Sequence, residues 1–178
     1  MIINKYKTIF VHIPKNAGTS VKRFFNKDRD DKFSLYKIDK HDTIHQIKLK
    51  VPKLYDSFKK FAIVRNPYDR MISWYSFLGF DIEFRKWIKN PTHKLEPQHT
   101  WVDETVEILK FENLNDDLNK FFDEEINLPI INKSNHDNYL KYYDQESLDI
   151  VYDRYKEDFK KYNYKKKQWD TKIENTIE

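Results

Sequence analysis

The sequence predicts an α/β fold, a single domain with a central parallel sheet flanked by helices, and three observations carry that prediction. Two short runs read as strands, Thr8 to Ile13 as a short buried one and Phe61 to Val64 as an unbroken apolar run of the kind expected for a strand covered on both faces. Each run gives way through a polar turn to apolar residues at helical spacing. A third strand, Val106 to Phe111, is followed by Leu118, Phe121 and Phe122 in the same helical relation. Strands that alternate with helices build a parallel sheet, and such sheets bind ligands at the carboxyl ends of their strands.

The first run stops at Pro14. A helix is expected from about Ser20, with Val21, Phe24 and Phe25 on one face and Ser20 or Thr19 capping its free N–H groups. A charged stretch, Lys27 to Lys32, precedes Asp39 to Lys48, where Asp42 or Thr43 starts a brief helix. After Val64, Arg65, Asn66 and Pro67 mark a second switch: Asn66 is the N-cap and Pro67 the first helical residue of a helix facing inward with Tyr68, Met71, Ile72 and Tyr75. Phe84, Trp87 and Ile88 give a further helical segment, and Pro91 and Pro97 lie in the loop before the third strand. Asn115 is expected to cap the next helix, and an Asn-rich loop, Ile131 to Asn138, leads to a long last helix. Its apolar face is Leu148, Val151, Tyr152, Tyr155, Phe159 and Tyr162. Beyond Tyr164 the chain turns polar and is expected to fray, which sets the domain at residues 1–164 and a tail at 165–178.

Composition narrows the function classes. Aromatic residues make up 16% of the chain, so Phe, Tyr and Trp supply much of the core. The absence of cysteine rules out disulfides, thiolate catalysis and Cys-ligated zinc. There is no apolar run of about 18 residues, and Met1 leads almost directly into the first strand without a charged-then-apolar leader. The expectation is a cytoplasmic protein without a membrane partner. The net charge of +4 comes largely from Lys160, Lys161, Lys165, Lys166 and Lys167, a solvated run rather than a nucleic-acid surface, so no nucleic-acid partner is expected.

The chemistry concentrates in the two switches. At the first, Lys15, Asn16, Ala17 and Gly18 lead into Thr19 and Ser20, which offers a phosphate-like anion backbone N–H donors, one lysine and two hydroxyls. Gly18 is one of only two glycines, so it is expected where only glycine fits, close against a ligand or at positive φ. At the second, Arg65 leaves its strand and Ser73 lies two helical turns on, about 10 Å along the axis from Asn66. A guanidinium reaching along that helix meets the Ser73 hydroxyl on a shared phosphate, a task for which its planar, permanently charged fork is suited. Arg70 is a second candidate for that phosphate, but at this spacing it is expected to face solvent or to pair with Asp69 or a nearby glutamate. Taken singly, each switch has a plainer reading: a ligand-free turn at Gly18, and a salt bridge from strand to helix at Arg65.

Together, HIPKNAGTS and RNPYDRMIS resemble the motifs of sulfotransferases that use 3′-phosphoadenosine 5′-phosphosulfate (PAPS), in particular the carbohydrate sulfotransferase branch. The likeness continues in ILKFENLNDDL, LPIINKS and YKEDFKKYNY, over almost the whole chain. The resemblance implies a P-loop nucleotide-hydrolase-like fold. It also implies that Lys15, Asn16, Ala17, Gly18, Thr19 and Ser20 surround the 5′-phosphosulfate, while Arg65 and Ser73 hold the 3′-phosphate. Lys133 falls where relatives close the nucleotide site. PAPS is then the co-substrate, adenosine 3′,5′-bisphosphate the product, the partner a saccharide hydroxyl, and no metal is required.

Sulfuryl transfer needs positive charge at the leaving bridging oxygen, a role for Lys15, and a base for the acceptor's proton. His41 is the favoured base, since family members carry a histidine followed by a threonine in that region and imidazole titrates near neutrality. His99, Glu96 and Glu104 are alternatives, and His12 is expected in the core or in a supporting position. Gln98, His99 and Trp101 share a loop that is expected to meet the acceptor, although Trp101 also suits a core position. Two other classes stand beside this one. In a nucleotide kinase the lysine would follow the glycine, whereas Lys15 precedes Gly18. A non-catalytic nucleotide-binding module would keep the anion pockets and lack a working base.

Overall fold

The computed structural model describes residues 1–25, 38–79, 81–91, 93–128 and 139–169. Its strands are β1 (Ile2–Ile3), β2 (Thr8–Val11), β3 (Lys59–Val64) and β4 (Glu107–Lys110), joined in that order in one sheet. The helices are α1 (Gly18–Phe25), α2 (Ile44–Lys50), α3 (Pro52–Ser57), α4 (Pro67–Leu78), α5 (Phe84–Trp87), α6 (Leu114–Phe122), α7 (Gln145–Arg154) and α8 (Lys156–Lys161). β2 pairs with β3 and β3 with β4 in parallel, and β1 runs antiparallel to β2. The α/β class with a mostly parallel sheet is therefore the one the sequence predicts. β1 was not foreseen, because two residues carry no periodicity. A short turn at Asn4–Tyr6, closed by Lys7 at φ 46°, sets its register.

The chain divides into two compact units. Met1–Arg65 with Gln98–Asn132 holds the whole sheet, and Asn66–Pro97 with Lys133–Glu178 is helical in its described residues. In the first unit Phe61 to Val64 are all fully buried, as a strand covered on both faces requires. Phe10 lies opposite Phe61 in register, with ring centroids 4.9 Å apart. Thr43 caps α2 in a capping box with Gln46, one of the two predicted starts. Two local expectations need correction. α1 begins at Gly18, so Thr19 and Ser20 lie inside its first turn rather than capping it. α6 begins at Leu114 with Asn113 in the cap position, which places Asn115 within the helix; Asp117 instead accepts from the Lys110 N–H at 2.7 Å and ties that helix to the end of β4.

In the second unit Asn66 caps α4 by accepting from the Tyr68 N–H at 3.0 Å, and Pro67 takes the first helical position, as predicted. Arg70 does not face solvent. It is 1% exposed and donates to the Glu96 carbonyl at 2.9 Å. The long last helix is broken at Tyr155 into α7 and α8, while Leu148, Val151, Tyr155 and Phe159 still enter one core with Tyr68 and Met71. Residues just past Tyr164 remain tied to this unit: the Lys166 ammonium meets Asp149 at 2.7 Å, and the Trp169 N–H donates to Gln145 at 2.9 Å. Among the described residues no helix is long and apolar enough to cross a membrane.

Gly18 is explained by a neighbour in its own protein. A Cβ there would stand 1.8 Å from His12 Nε2, so the imidazole occupies the space a side chain would need. Positive φ falls instead on Lys15 (71°) and Ala17 (58°). Overpacking of this kind costs about 1–3 kcal/mol, so Gly18→Ala is expected to lower the unfolding free energy in urea by about that amount. In a His12→Ala background the same substitution should cost much less. An unchanged penalty there means that something other than the imidazole excludes the side chain.

Candidate functional site

Because β2 and β3 are parallel, their carboxyl ends lie at one edge of the sheet, where the loop from Pro14 to Ala17 leaves one strand and Arg65 leaves the other. Lys15 and Ala17, on either side of Asn16, both adopt left-handed backbone conformations. Non-glycine residues held this way cost on the order of 1–3 kcal/mol each and persist only where their surroundings fix them. Here Asn16 does the fixing: it is 1% exposed, and its Nδ2 donates to the Ile63 carbonyl and to Gln98 Oε1, each at 2.7 Å. Alternation of backbone hand of this type turns successive N–H groups toward a common anion.

Arg65 is buried and held through both its main chain and its side chain. Its N–H donates to Gln98 Oε1 and its carbonyl accepts from Gln98 Nε2, both at 2.9 Å. Its Nη1 donates to the Lys15 carbonyl at 3.3 Å, and the guanidinium carbon lies 4.1 Å from the centroid of the Phe111 ring, just beyond β4. Burial lowers the Lys15 pKa to about 8, and the charges of Arg65 and then Lys40 push it the same way. The edge therefore concentrates positive charge at a partly dehydrated place, an arrangement suited to a multiply charged anion.

His41 is exposed in a turn before α2, and its Nδ1 lies 3.1 Å from the His12 carbonyl. A carbonyl only accepts, so Nδ1 carries the hydrogen and Nε2 of the neutral ring is the bare, basic nitrogen. The ring stands 4.6 Å from His12 and 6.1 Å, edge-on, from Trp101. Lys50, at the end of α2, pins this turn by reaching both Asp39 and the buried Asp42 at 2.7 Å. His12 itself is buried, which lowers its pKa to about 3, with the neighbouring His41 acting the same way, so it is neutral at physiological pH. That accords with the supporting place expected for it.

The structure thus brings Lys15, Asn16, Ala17, Gly18, Ser20 and Arg65 into one unit, with Thr19 exposed and Ser20 buried in the first turn of α1. Ser73, partly exposed on α4, and Glu96, which is exposed, both belong to the second unit. His99 and Trp101 are half-buried in a 3-10 turn at Gln98–Trp101, and Glu104 is exposed. The Trp101 Nε1 is buried with no hydrogen-bond partner among the described residues. Gln98, expected at the acceptor, is instead fully buried with its amide turned to Arg65 and Asn16. Lys133 lies outside the described residues. The sequence reading missed Lys40, Lys50 and Phe111. Lys40 and Lys50 flank the histidine segment and were open to suspicion, but the approach of Phe111 to Arg65 carries no sequence signal.

A model of the sulfotransferase family matches residues 1–100, more than half of the chain and both switches. No curated protein and no solved structure matches it. The residues present fit the nucleotide such enzymes use, because a partly dehydrated lysine beside a buried arginine answers its multiply charged anionic groups. The chain belongs to the sulfotransferase family and is a PAPS-dependent sulfotransferase, with PAPS as its co-substrate and a sulfate acceptor as its second substrate.

Proposed function

We propose that this enzyme sulfates a hydroxyl group of a carbohydrate, using residues 1–164 as its catalytic domain, with the donor at the carboxyl edge of the sheet and His41 as the base. The observation that carries the donor site is the meeting of Lys15 and Arg65, whose charges oppose one another 50 residues apart in the chain. The saccharide acceptor rests on the likeness of both switches to the carbohydrate branch. Lys15, the Asn16, Ala17 and Gly18 backbone, and the Thr19 and Ser20 hydroxyls hold the 5′ end. Arg65 holds the 3′-phosphate, and the likeness of the motifs to the family assigns Ser73 and Lys133 to the same group. PAPS supplies an activated sulfuryl group when bound.

Each residue's task follows from its chemistry. Lys15 places an ammonium where negative charge develops on the leaving oxygen, and low local hydration strengthens that attraction. His41 accepts the acceptor's proton at Nε2, since Nδ1 is committed to the His12 carbonyl. A positioned base of this sort contributes about 10²–10⁴ in rate. Lys50 keeps the His41 turn in place through Asp39 and Asp42. Trp101 stands edge-on to His41 and offers an aromatic wall of the kind that sugars use, with His99 in the same turn.

Thermal melting in the presence of adenosine 3′,5′-bisphosphate, ATP or GTP, with and without magnesium, tests the donor assignment. Magnesium-independent stabilisation by the bisphosphate is expected, worth about 2.7 kcal/mol at a hundred times Kd. Selective stabilisation by ATP with magnesium would point to a kinase, and no shift with any nucleotide would point to a module that binds none of them. Arg65→Ala should weaken bisphosphate binding by at least about tenfold. Wild-type affinity in that variant rejects the 3′-phosphate role. Lys15 is charged below about pH 8 in the free protein and an anion stabilises the charge, so bisphosphate affinity should fall as pH rises through 8. Lys15→Arg should hold its affinity to higher pH; parallel pH curves for the two proteins would remove Lys15 from the site. His41→Ala should leave bisphosphate binding intact and cut kcat by about 10²-fold or more, whereas full turnover would move the base to His99 or to a glutamate, Glu96 or Glu104.

A further inference from the structure

We infer that Gln98 is a positioning residue of the donor site, its buried amide locking the loop after β2 to the residue that leaves β3 and so fixing the spacing of Lys15 and Arg65. The inference rests on the donor site proposed above. The pairing of β2 with β3 ends at Val11 and Ala62, and that of β3 with β4 ends at Val64 and Lys110. Beyond those points the flanking strands leave β3, and its last backbone groups need other partners. Side-chain amides provide them. Asn16 Nδ2 takes the Ile63 carbonyl, while Gln98 takes both the N–H and the carbonyl of Arg65, as a neighbouring strand would.

Gln98 joins the two replacements into one device, since its Oε1 accepts from Asn16 Nδ2 and from the Arg65 N–H together. The main chain of Arg65 is thereby fixed, and from it the guanidinium reaches the Lys15 carbonyl and the Phe111 face. Asn16 is fixed by the same amide, and it sits between the two residues whose left-handed backbones shape the anion loop. Gln98 is fully buried, so it touches neither donor nor acceptor directly. Its influence on catalysis passes through Asn16 and Arg65.

Two variants test this. Gln98→Met keeps the volume and removes every hydrogen bond. It is expected to raise Kd for adenosine 3′,5′-bisphosphate and KM for PAPS by at least about tenfold, leave kcat within about threefold, and speed hydrogen exchange at the Arg65 amide ahead of the β3 core. Gln98→Glu keeps the acceptor for Asn16 and the Arg65 N–H but sets an oxygen against the Arg65 carbonyl. Protonating that buried carboxyl restores the missing donor, so the bisphosphate affinity of this variant should recover toward wild type as pH falls from 8 to about 5.5. Wild-type bisphosphate affinity in Gln98→Met, measured below its melting temperature, overturns the inference. So does an affinity deficit in Gln98→Glu that is the same at every pH, which keeps the test decisive if the methionine variant fails to fold. Failure of the unmodified protein to bind bisphosphate would overturn the donor site itself, a result distinct from loss confined to the variants.

Discussion

Two cations share one edge of a parallel sheet, and the organisation of the first unit answers to that constraint. Lys15 and Arg65 repel each other and both lose hydration, so neither charge gains from the other's presence in the free protein. Proteins seldom keep such an arrangement without an anion to satisfy it. What holds it is a set of neutral amides and carbonyls: Asn16 and Gln98 engage the backbone at the end of β3, and the Lys15 carbonyl accepts from Arg65. Neutral hydrogen bonds fix position without cancelling charge, and a carboxylate in the same place would have neutralised the site in advance of its ligand.

The same economy governs the neighbouring histidines. Gly18 leaves room for the His12 ring, whose burial keeps it neutral, and the His12 carbonyl in turn commits the Nδ1 of His41. One strand end thus sets both the start of α1 and the tautomer of the exposed imidazole. Strain appears where the sequence offered no glycine, at Lys15 and Ala17, while the glycine at hand was used for packing. The sulfotransferase motif is therefore shaped by two distinct demands, backbone hand at residues 15 and 17 and side-chain clearance at residue 18.

Much of the fold was legible because it is local. The strand and helix before and after Arg65 follow from an apolar run, an Asn cap and a proline at the first helical position, and all three are decided within a few residues. The capping box of α2 is of the same kind. The break between α7 and α8 was not legible, since apolar residues keep the same spacing across Tyr155 and the pattern alone does not distinguish one helix from two. Arg70 was misplaced for a related reason. Its burial depends on the Glu96 carbonyl, 26 residues away, and an arginine in isolation is assigned to water.

By itself the sequence determined that the chain alternates strands and helices, that two strand-to-helix switches carry cationic and hydroxyl side chains, and that their joint pattern resembles that of sulfotransferases. The first two are properties of short segments, set by periodicity, capping and residue chemistry, and the third is a likeness of motifs. Only the tertiary structure decided why Gly18 is a glycine, which nitrogen of His41 is bare, and that the buried Gln98 amide joins Asn16 to the main chain of Arg65. Each of those rests on atoms brought together from separate parts of the chain. Gln98 meets Asn16 across 82 residues and Arg65 across 33, distances over which only packing, and no local rule, selects the partner.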